Sequence, residues 1–505
     1  MTNQPFALRL NDADNILIAL RTVPEGTVLP FDVVAREKIP AGHKIALSPI
    51  ATGENVLKYG QIIGTATADI APGAHVHVQN LGMGAHKRDY GFGTAAKDLP
   101  PADETATFRG FHRPSGRVGT RNFIGILTSV NCAGSVARFI AEGAAREALL
   151  ADFPNVDGIV PIVHGTGCGM SGKGEGYDTL FRTLAGYGHN PNFGAILMVG
   201  LGCEVMQIPD LIDHKALKDS ARFRYMTIQH QGGTRATVDK GVALLRELAA
   251  EANKAEREDT PAARLVLGMQ CGGSDGYSGI TANPALGVAS DLLVRHGGTS
   301  ILSETSEIYG AEHLLTRRAV DVPTGRKLID LIEWWEDYTA RNFGEMDNNP
   351  SPGNKRGGLT TILEKSLGAV AKGGAAPLAG VYKYAEPIDQ PGFVFMDSPG
   401  YDPCSVTGQT ASGANLIAFT TGRGSVSGYQ PVPSVKIASN PDLWARMHND
   451  MDVNCGDILD GVTLEDKGRE IFDLLLRVAS GEETKSEAQG FGAVEFVPWQ
   501  IGAVM

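Results

Sequence analysis

Four short apolar runs, each ending at a cysteine, stand out in the pattern of hydrophobic and polar positions along the chain. They span 123–132, 156–168, 195–203 and 265–271, and glycine or small polar residues accompany the end of each run. Uninterrupted runs of this length are typical of parallel strands that are covered on both faces. Segments with apolar residues at helical spacing, such as 136–150, lie between them. The pattern therefore predicts α/β units with largely parallel sheets.

The first 95 residues follow a different pattern, with short alternating segments and few helix signals. Turns that contain proline and glycine, at 24–26, 40–42 and 72–73, separate these segments, which predicts a small β domain at 1–95. Residues 96–115 are polar, and we expect a linker that tethers this domain. Two α/β domains then follow, a second domain at 116–258 and a C-terminal catalytic domain at 259–505. A chain of 505 residues supports roughly two to four domains.

Composition and charge exclude several classes of protein. The chain is 42% hydrophobic and 20% charged, as in ordinary soluble proteins, and its net charge is -12. Without a dense lysine and arginine stripe, nucleic acid is not an expected partner. No basic and apolar leader and no apolar run of about 18 residues is found, so we expect no membrane association and a cytoplasmic location. Six cysteines are too few for a disulfide framework, which predicts reduced thiols.

The four cysteines at the ends of the apolar runs are candidate metal ligands. Because the carboxyl ends of parallel strands carry the ligand site of an open α/β sheet, Cys132, Cys168, Cys203 and Cys271 could face one crevice. Thiolates suit zinc, ferrous iron or an iron–sulfur cluster. None of the pairs has C-x-x-C spacing, so a metal here would be bound by residues distant in sequence. Free cysteine is also a common small core residue, and that interpretation stays open for each thiol.

Other polar residues at turns and strand ends could carry out acid–base chemistry or bind anions. His75 and His77 lie two residues apart and share one face of a strand. His164 and Asp275 follow predicted strands and are candidate proton carriers. Arg121, Lys355 and Arg423, in loops rich in glycine, are suited to holding carboxylates. The chain lacks a Gly-x-Ser-x-Gly elbow, a Walker loop and a Gly-x-Gly-x-x-Gly motif after a first strand, which disfavours triad hydrolases, NTPases and dinucleotide enzymes.

Six blocks of residues, taken in order, resemble the altronate/galactarate dehydratase family of sugar-acid hydro-lyases along essentially the full length of the chain. The blocks are 73–80, 119–122, 200–204, 270–275, 349–355 and 421–424. The resemblance implies a SAF-type β-clip domain at the N-terminus, followed by two α/β domains. It also implies dependence on a divalent metal, with Fe²⁺ as the first expectation and Mn²⁺ as the second, and an iron–sulfur cluster is not excluded.

The resemblance further implies a reaction and roles for individual residues. A base removes the proton next to the carboxylate of a polyhydroxy acid, the neighbouring hydroxyl leaves as water, and the enol becomes a 2-keto-3-deoxy acid. We expect a homo-oligomer, most simply a dimer, on general frequency. The candidate catalytic residues are His75, His77, His164, Asp275 and Lys355, the candidate substrate-binding residues are Arg121, Ser274, Asn354 and Arg423, and the candidate metal ligands are Cys132, Cys168, Cys203 and Cys271.

Two alternatives remain open at this stage. Residues 425–428 read Ser-Val-Ser-Gly where family members usually have Thr-Pro-Tyr-Gly, so the sequence does not fix the substrate or its stereochemistry. A carbon–sulfur lyase of the sulfolactate type would begin with the same proton abstraction. A noncatalytic acid-binding or metal-binding protein is the other alternative, but it would not need so many proton carriers beside its ligands.

Overall fold

The N-terminal domain is built from two small antiparallel sheets. The computed structural model describes residues 5–84, 89–213, 217, 220–502 and 504. One sheet has the order β1-β2-β3-β6 and the other β4-β5-β7. Alternate residues of β2 enter different cores, with Leu17 on one side and Ile16 and Ile18 on the other. The strands are β1 (Ala7–Leu8), β2 (Ile16–Ala19), β3 (Lys44–Ala46), β4 (Asn55–Lys58), β5 (Gln61–Ala66), β6 (His75–Val76) and β7 (Leu81–Gly82).

The second domain contains a four-stranded parallel sheet, with the order β11-β10-β12-β13. Helices α1 and α4 pack against the same face of this sheet. A separate antiparallel sheet, β14-β8-β9, joins the points where the chain enters and leaves the domain. The elements are β8 (Thr107–His112), β9 (Val118–Gly119), β10 (Phe123–Thr128), α1 (Gly134–Arg146), β11 (Gly158–Ile162), α2 (Glu175–His189), β12 (Phe193–Gly200), α3 (Ile208–Asp213), β13 (Phe223–Thr227), α4 (Thr234–Ala252) and β14 (Arg257–Pro261).

The third domain is organised around a seven-stranded parallel sheet, with the order β17-β18-β16-β15-β19-β20-β21. Its strands are β15 (Val266–Cys271), β16 (Thr299–Leu302), β17 (Leu378–Tyr382), β18 (Gly392–Met396), β19 (Leu416–Thr421), β20 (Ser434–Ala438) and β21 (Val453–Asn454). Its helices are α5 (Ala282–Arg295), α6 (Glu312–Thr316), α7 (Val322–Arg341), α8 (Pro352–Arg356), α9 (Ile362–Val370), α10 (Asp402–Ser412), α11 (Pro441–Arg446), α12 (Leu464–Ala479) and α13 (Lys485–Ala488).

The predicted fold class is confirmed, since a small β domain precedes two domains with parallel sheets. Strands β10 and β15 lie inside two of the predicted apolar runs, β12 overlaps a third, and almost every residue in these strands is buried. This burial is why the runs show no alternation of apolar and polar residues. Among the described helices, none is long and apolar enough to cross a membrane.

The N-terminal domain is docked on the third domain, where the sequence predicts only a tether. Part of the predicted linker runs along the third domain, because Ala102 N donates to Arg295 O at 3.0 Å. Ala95 N, just before the linker, donates to Arg317 O at 2.7 Å. The β domain itself also contacts the third domain, through charged side chains that are fully buried. The expectation of a loosely attached domain therefore missed tertiary contacts that the polar composition of 96–115 does not reveal.

A buried ion-pair network fastens the two domains together. Glu364 of α9 accepts from Lys44 Nζ at 2.8 Å and from Lys58 Nζ at 2.9 Å, and each of the three side chains is at most 1% exposed. Thr360 N and Oγ1 also donate to Glu364, and Lys44 Nζ donates to Gly358 O. Burial by itself would raise the pKa of Glu364, but the two ammonium groups outweigh that effect and lower it. The carboxylate therefore stays charged and holds both lysines in place.

Replacing Glu364 with glutamine should release the N-terminal domain. Two ammonium groups would remain buried without a counter-charge, and breaking a buried pair in this way costs about 3–5 kcal/mol. We expect a lower unfolding midpoint in urea and early proteolytic release of residues before 96. Asp337→Asn breaks the exposed pair between Arg341 and Asp337 and should change stability by less than about 1 kcal/mol. Equal stability of the two variants would contradict the anchoring role.

Candidate functional site

A cavity opens at the carboxyl edge of the seven-stranded sheet. Strand β15 lies in the middle of the sheet. Strands β16, β18 and β17 extend the sheet on one side of β15, and β19, β20 and β21 extend it on the other, so the strand order reverses at β15. Ligands of open α/β sheets bind at such a reversal. The cavity has a volume of about 430 Å³ and is lined by Cys271, Glu307, Lys365, Asp402 and residues of α8, among others. Its size is within the range of small-molecule sites.

An ion pair lies in the wall of the cavity. Lys365 Nζ of α9 is 2.6 Å from Glu307 Oε1 and donates to Asn349 Oδ1 at 2.9 Å. Asn349 Nδ2 donates to Glu307 Oε1 at 2.7 Å, which closes the group. Burial would raise the pKa of Glu307, but Lys365 outweighs it and lowers that pKa. Burial likewise would lower the pKa of Lys365, yet the glutamate raises it. Both groups are therefore charged at neutral pH.

Behind this pair, Cys271 meets a second glutamate and a second lysine. Cys271 Sγ is 3.6 Å from Glu307 Oε2 and 3.9 Å from Glu304 Oε2, and Lys372 Nζ is 3.6 Å from Glu304 Oε2. Burial raises the pKa of Cys271 to about 12, and burial together with the charge of Glu307 raises the pKa of Glu304. The ligand atoms of Cys271, Glu304 and Glu307 lie within 4.8 Å of one another. However, a neutral thiol beside two ammonium groups is a poor cation ligand.

Asp402, the first residue of α10, contributes a proton acceptor to the cavity. Its Oδ1 accepts from Gln270 Nε2 at 2.9 Å. Burial raises the pKa of Asp402 to about 6. The carboxylate is therefore ionised at neutral pH but more basic than an exposed aspartate, which suits a general base.

Three histidines of the N-terminal domain converge beside the cavity. Antiparallel pairing of β3 with β6 sets Lys44 opposite Val76 and Ile45 opposite His75, and the same register places His43 opposite His77. The ring centroids are 4.8 to 5.3 Å apart. His43 Nε2 is 3.3 Å from Arg356 O at the end of α8. Because Ser351 and Asn354 at the start of α8 line the cavity, the histidines and the cavity adjoin.

The three imidazoles suit a divalent transition metal. One ring nitrogen from each lies within 4.8 Å of the others. Burial, together with the charge of Lys44, lowers the pKa of all three histidines. The pKa of His75 falls to about 4 and that of His77 to about 3. Neutral imidazole is the form that binds metals. His77 Nδ1 is buried and has no hydrogen-bond partner among the described residues, so this nitrogen is available as a metal ligand. This donor set fits Fe²⁺ better than the Cys271 group does.

Three family models match the chain and together span nearly all of it. They are the altronate/galactarate dehydratase SAF domain at 5–84, the D-galactarate dehydratase/altronate hydrolase second domain at 110–253, and the D-galactarate/altronate dehydratase C-terminal domain at 262–504. The chain belongs to the altronate/galactarate dehydratase family. It is accordingly an enzyme of the hydro-lyase class, and its N-terminal β domain is a SAF domain.

Curated relatives cover almost the whole chain. Altronate dehydratase of Bacillus subtilis (strain 168) is 35% identical over 96% of this chain and 97% of its own length. Galactarate dehydratase (L-threo-forming) of Escherichia coli (strain K12) is 37% identical over 95% and 94%. The (2R)-sulfolactate sulfo-lyase subunit beta of Chromohalobacter salexigens is 31% identical over 76% of this chain and 95% of its own length.

Within this family member, the predicted site residues occupy several places. His75 and His77 lie in the histidine group, and Cys271 and Asn354 line the cavity. Ser274 adjoins them, since its carbonyl accepts from Asn354 Nδ2 at 2.8 Å, and its buried Oγ has no partner in the described part of the chain. Two predicted cations lie nearby, with Lys355 half-buried in α8 and Arg423 exposed beside Gly273 of the cavity wall. Cys132, Cys168 and Cys203 lie instead on the sheet of the second domain and are exposed.

Other predicted site residues have protein partners that occupy their polar atoms. Asp275 accepts from Ser278, Ser439 and Asn440 side chains at 2.8 to 2.9 Å, although burial raises its pKa. His164 uses both ring nitrogens, at 2.9 Å from Thr128 O and 3.3 Å from Thr166 N. Arg121 pairs with Glu487 at 2.7 Å and donates to three carbonyl groups. Through these contacts the three side chains hold neighbouring loops in place.

Four residues of the site were not among the candidates chosen from the sequence. Glu307 and Asp402 follow β16 and β18, so polar residues after strands were a usable signal. His43 follows a turn in the sequence, but its place beside His75 and His77 depends on the strand register, which is set by tertiary structure. Lys365 lies in α9, whose nine residues are all buried, and no amphipathic pattern distinguishes it.

Removing one histidine of the group should abolish divalent metal binding. We expect wild-type protein to bind Mn²⁺ in calorimetry at one histidine site, and His77→Ala to weaken it by more than the ~10–100-fold that loss of an outer-shell partner costs. His296→Ala is the matched control, because His296 stacks on Phe472 in the third domain. Unchanged Mn²⁺ affinity in His77→Ala would exclude the histidines as ligands.

Proposed function

We propose that this enzyme dehydrates a sugar acid or a related 2,3-dihydroxy acid to a 2-keto-3-deoxy acid. The observation that carries the proposal is the cavity of about 430 Å³ in which the carboxylate of Asp402 and the Lys365–Glu307 ion pair meet. Relatives named altronate and galactarate dehydratases, similar along nearly the whole chain, support it. The substrate is a small polyhydroxy carboxylate that fits a polar cavity of this size.

Asp402 is the proposed base that removes the proton next to the substrate carboxylate. The proton moves to the Asp402 carboxylate and the electron pair becomes that of an enediolate. The neighbouring carbon–oxygen bond then breaks, and the hydroxyl leaves as water with the proton that Asp402 took up, which returns Asp402 to its carboxylate form. The enol that remains tautomerises to the 2-keto-3-deoxy acid. A carboxylate with a pKa of about 6 is well matched to this step at neutral pH.

Lys365 is the proposed cation that stabilises the developing negative charge. Glu307 and Asn349 each accept one hydrogen bond from its ammonium group, and an ammonium group has three donors. The third is available for a substrate oxygen, either of the enediolate or of the leaving hydroxyl. A fixed cation in a largely buried site stabilises such charge without reorganisation. Lys355, Arg423, Asn354 and Ser274 are the proposed substrate-binding side chains around it.

His43, His75 and His77 are the residues that would hold a divalent metal, and three imidazoles suit Fe²⁺. A metal bound there would polarise the carboxylate and hydroxyl oxygens of the substrate. The histidines themselves fix the SAF domain against α8, through His43 and Arg356 O. His164, Asp275 and Arg121 are proposed to position loops and not to contact substrate.

Carbon–sulfur cleavage is the second candidate reaction, because a sulfolactate sulfo-lyase subunit is 31% identical over 76% of the chain. Both reactions begin with the same proton abstraction and differ in the leaving group. A polar leaving-group site with a cation serves either hydroxide or sulfite, so geometry alone does not separate them. The similarity to dehydratases over about 95% of the chain favours water as the leaving group.

A substrate panel should separate the two reactions. With Fe²⁺ or Mn²⁺ under reducing conditions, we expect a 2-keto-3-deoxy acid from at least one six-carbon sugar acid, altronate and galactarate included, detected as its semicarbazone. Sulfolactate should release no sulfite above the blank. Sulfite release together with no keto acid from any sugar acid would reverse the assignment.

Replacing Asp402 with asparagine should remove the base and retain the fold. We expect kcat to fall by about 10²–10⁴-fold. In the wild type, kcat/KM should fall as the pH drops below about 6, because protonated Asp402 cannot accept a proton. Asp291→Asn is the control, since Asp291 is a largely buried carboxylate outside the cavity lining whose pKa is also raised by burial. Similar kcat values in the two variants would exclude Asp402 as the base.

A further inference from the structure

Three exposed thiols lie at the carboxyl edge of the second domain's parallel sheet. Cys132, Cys168 and Cys203 follow strands β10, β11 and β12, which are neighbours in the order β11-β10-β12. The other three cysteines of the chain are buried. Exposed thiols are vulnerable to oxidation, whereas the carboxyl edge of parallel strands is a place where α/β folds bind ligands.

Main-chain hydrogen bonds hold the three cysteine loops side by side. Asn131 N, next to Cys132, donates to Thr166 O at 2.9 Å. Gly167 O, next to Cys168, accepts from Val205 N at 3.1 Å and from Met206 N at 3.0 Å, just beyond Cys203. Gly167 has a φ of +97°, and a Cβ there would lie 2.1 Å from Ser129 O. The three loops therefore contact one another directly, and the Cys168 loop lies closest to the end of β10 at Gly167.

Buried polar side chains that the proposed reaction does not use fix these loops. Glu204, directly after Cys203, accepts from Ser129 Oγ and from Gly202 N, both at 2.6 Å. His164 links the end of β10 to the Cys168 loop through its two ring nitrogens. These contacts orient each cysteine loop before any ligand binds, which is how a first shell of ligands is preorganised.

The spacing of the three sulfur atoms is wider than a single bound ion requires. The three sulfur atoms do not all lie within 4.8 Å of one another, since the described residues that meet this limit are the histidine and Cys271 groups. A single tetrahedral ion with bonds of 2.3 Å would bring its sulfur ligands to roughly 3.8 Å. A polynuclear cluster needs a wider spacing, because each cysteine binds a different iron.

We propose that Cys132, Cys168 and Cys203 bind a four-iron, four-sulfide cluster through three thiolates, with one iron free of cysteine. Each thiol releases one proton on binding. Equal amounts of ferrous and ferric iron with sulfide match the electron count of the oxidised cluster, so assembly from them requires no separate oxidant. This site lies in the second domain, whereas Asp402 and Lys365 lie in the third. The proposal therefore does not depend on the proposed dehydration.

Anaerobic reconstitution of the full-length protein tests this site. We expect about four irons and four sulfides per chain, a broad visible absorption and an electron paramagnetic resonance signal after reduction with dithionite. Cys132→Ser, Cys168→Ser and Cys203→Ser should each lower sulfide content at least tenfold. Cys271→Ser and Cys455→Ser are the matched controls from the third domain and should retain the cluster.

Thiol labelling keeps the test valid if a serine variant fails to fold. In wild-type protein without metal, Cys132, Cys168 and Cys203 should be alkylated quickly, and reconstitution should protect all three, as mapped by peptide mass spectrometry. Bound zinc or iron without sulfide, a cluster retained by the triple serine variant, or its loss in Cys271→Ser would each overturn the proposal. Activity is not needed for any of these measurements.

Discussion

The buried triad of Lys44, Lys58 and Glu364 is the interaction on which the candidate site depends. It joins strands β3 and β4 of the SAF domain to α9 of the third domain with all three charges out of water. Such a network adds little net stability compared with apolar packing, but it is costly to break, so it fixes one docking geometry. Because His43 precedes Lys44 directly, the docking geometry also sets where the histidine group lies. The position of the metal-binding candidates is thus a consequence of an ion pair.

The same α9 helix carries charge to the cavity. Glu364 faces the SAF domain and Lys365, the next residue, pairs with Glu307 in the cavity wall. Adjacent residues on a helix point in directions about 100° apart, so one buried helix connects the domain seam with the site. Any displacement of the SAF domain would therefore act on the group proposed to stabilise the enediolate.

Main-chain contacts tighten this seam further. A Cβ on Gly276 would lie 2.0 Å from Gly42 O, and one on Gly358 would lie 2.4 Å from the same atom. Gly42 immediately precedes His43, and Gly276 immediately follows Asp275. The five donors on Asp275 hold the cavity loop in the shape that permits this approach. Asp275 therefore contributes to the geometry of this seam.

The parts of the fold and site that have a local sequence signal could be predicted, and the parts set by tertiary structure could not. Buried parallel strands are recognisable from local runs, so β10, β12 and β15 and the fold class followed from the sequence. Convergence of four cysteines on one cation did not appear, because the chain divides its strands between two sheets and pattern alone does not assign a strand to a sheet. Cys271 consequently lies beside Glu304 and Glu307. The other three cysteines lie in loops of the second domain that contact one another. The pairing of His43 with His75 and His77 and the role of Lys365 were not predicted, because strand register and a fully buried helix leave no periodic pattern in the sequence.

The two sheets use the same architectural principle with different donors. In each, polar residues follow adjacent parallel strands, and glycine lets neighbouring loops come into contact. In the third domain burial keeps Cys271 protonated and leaves the chemistry to oxygen and nitrogen groups. In the second domain the three sulfurs are exposed. Since desolvation is what separates an inert thiol from a potential ligand, exposure decides which cysteines of this chain are suited to metal chemistry.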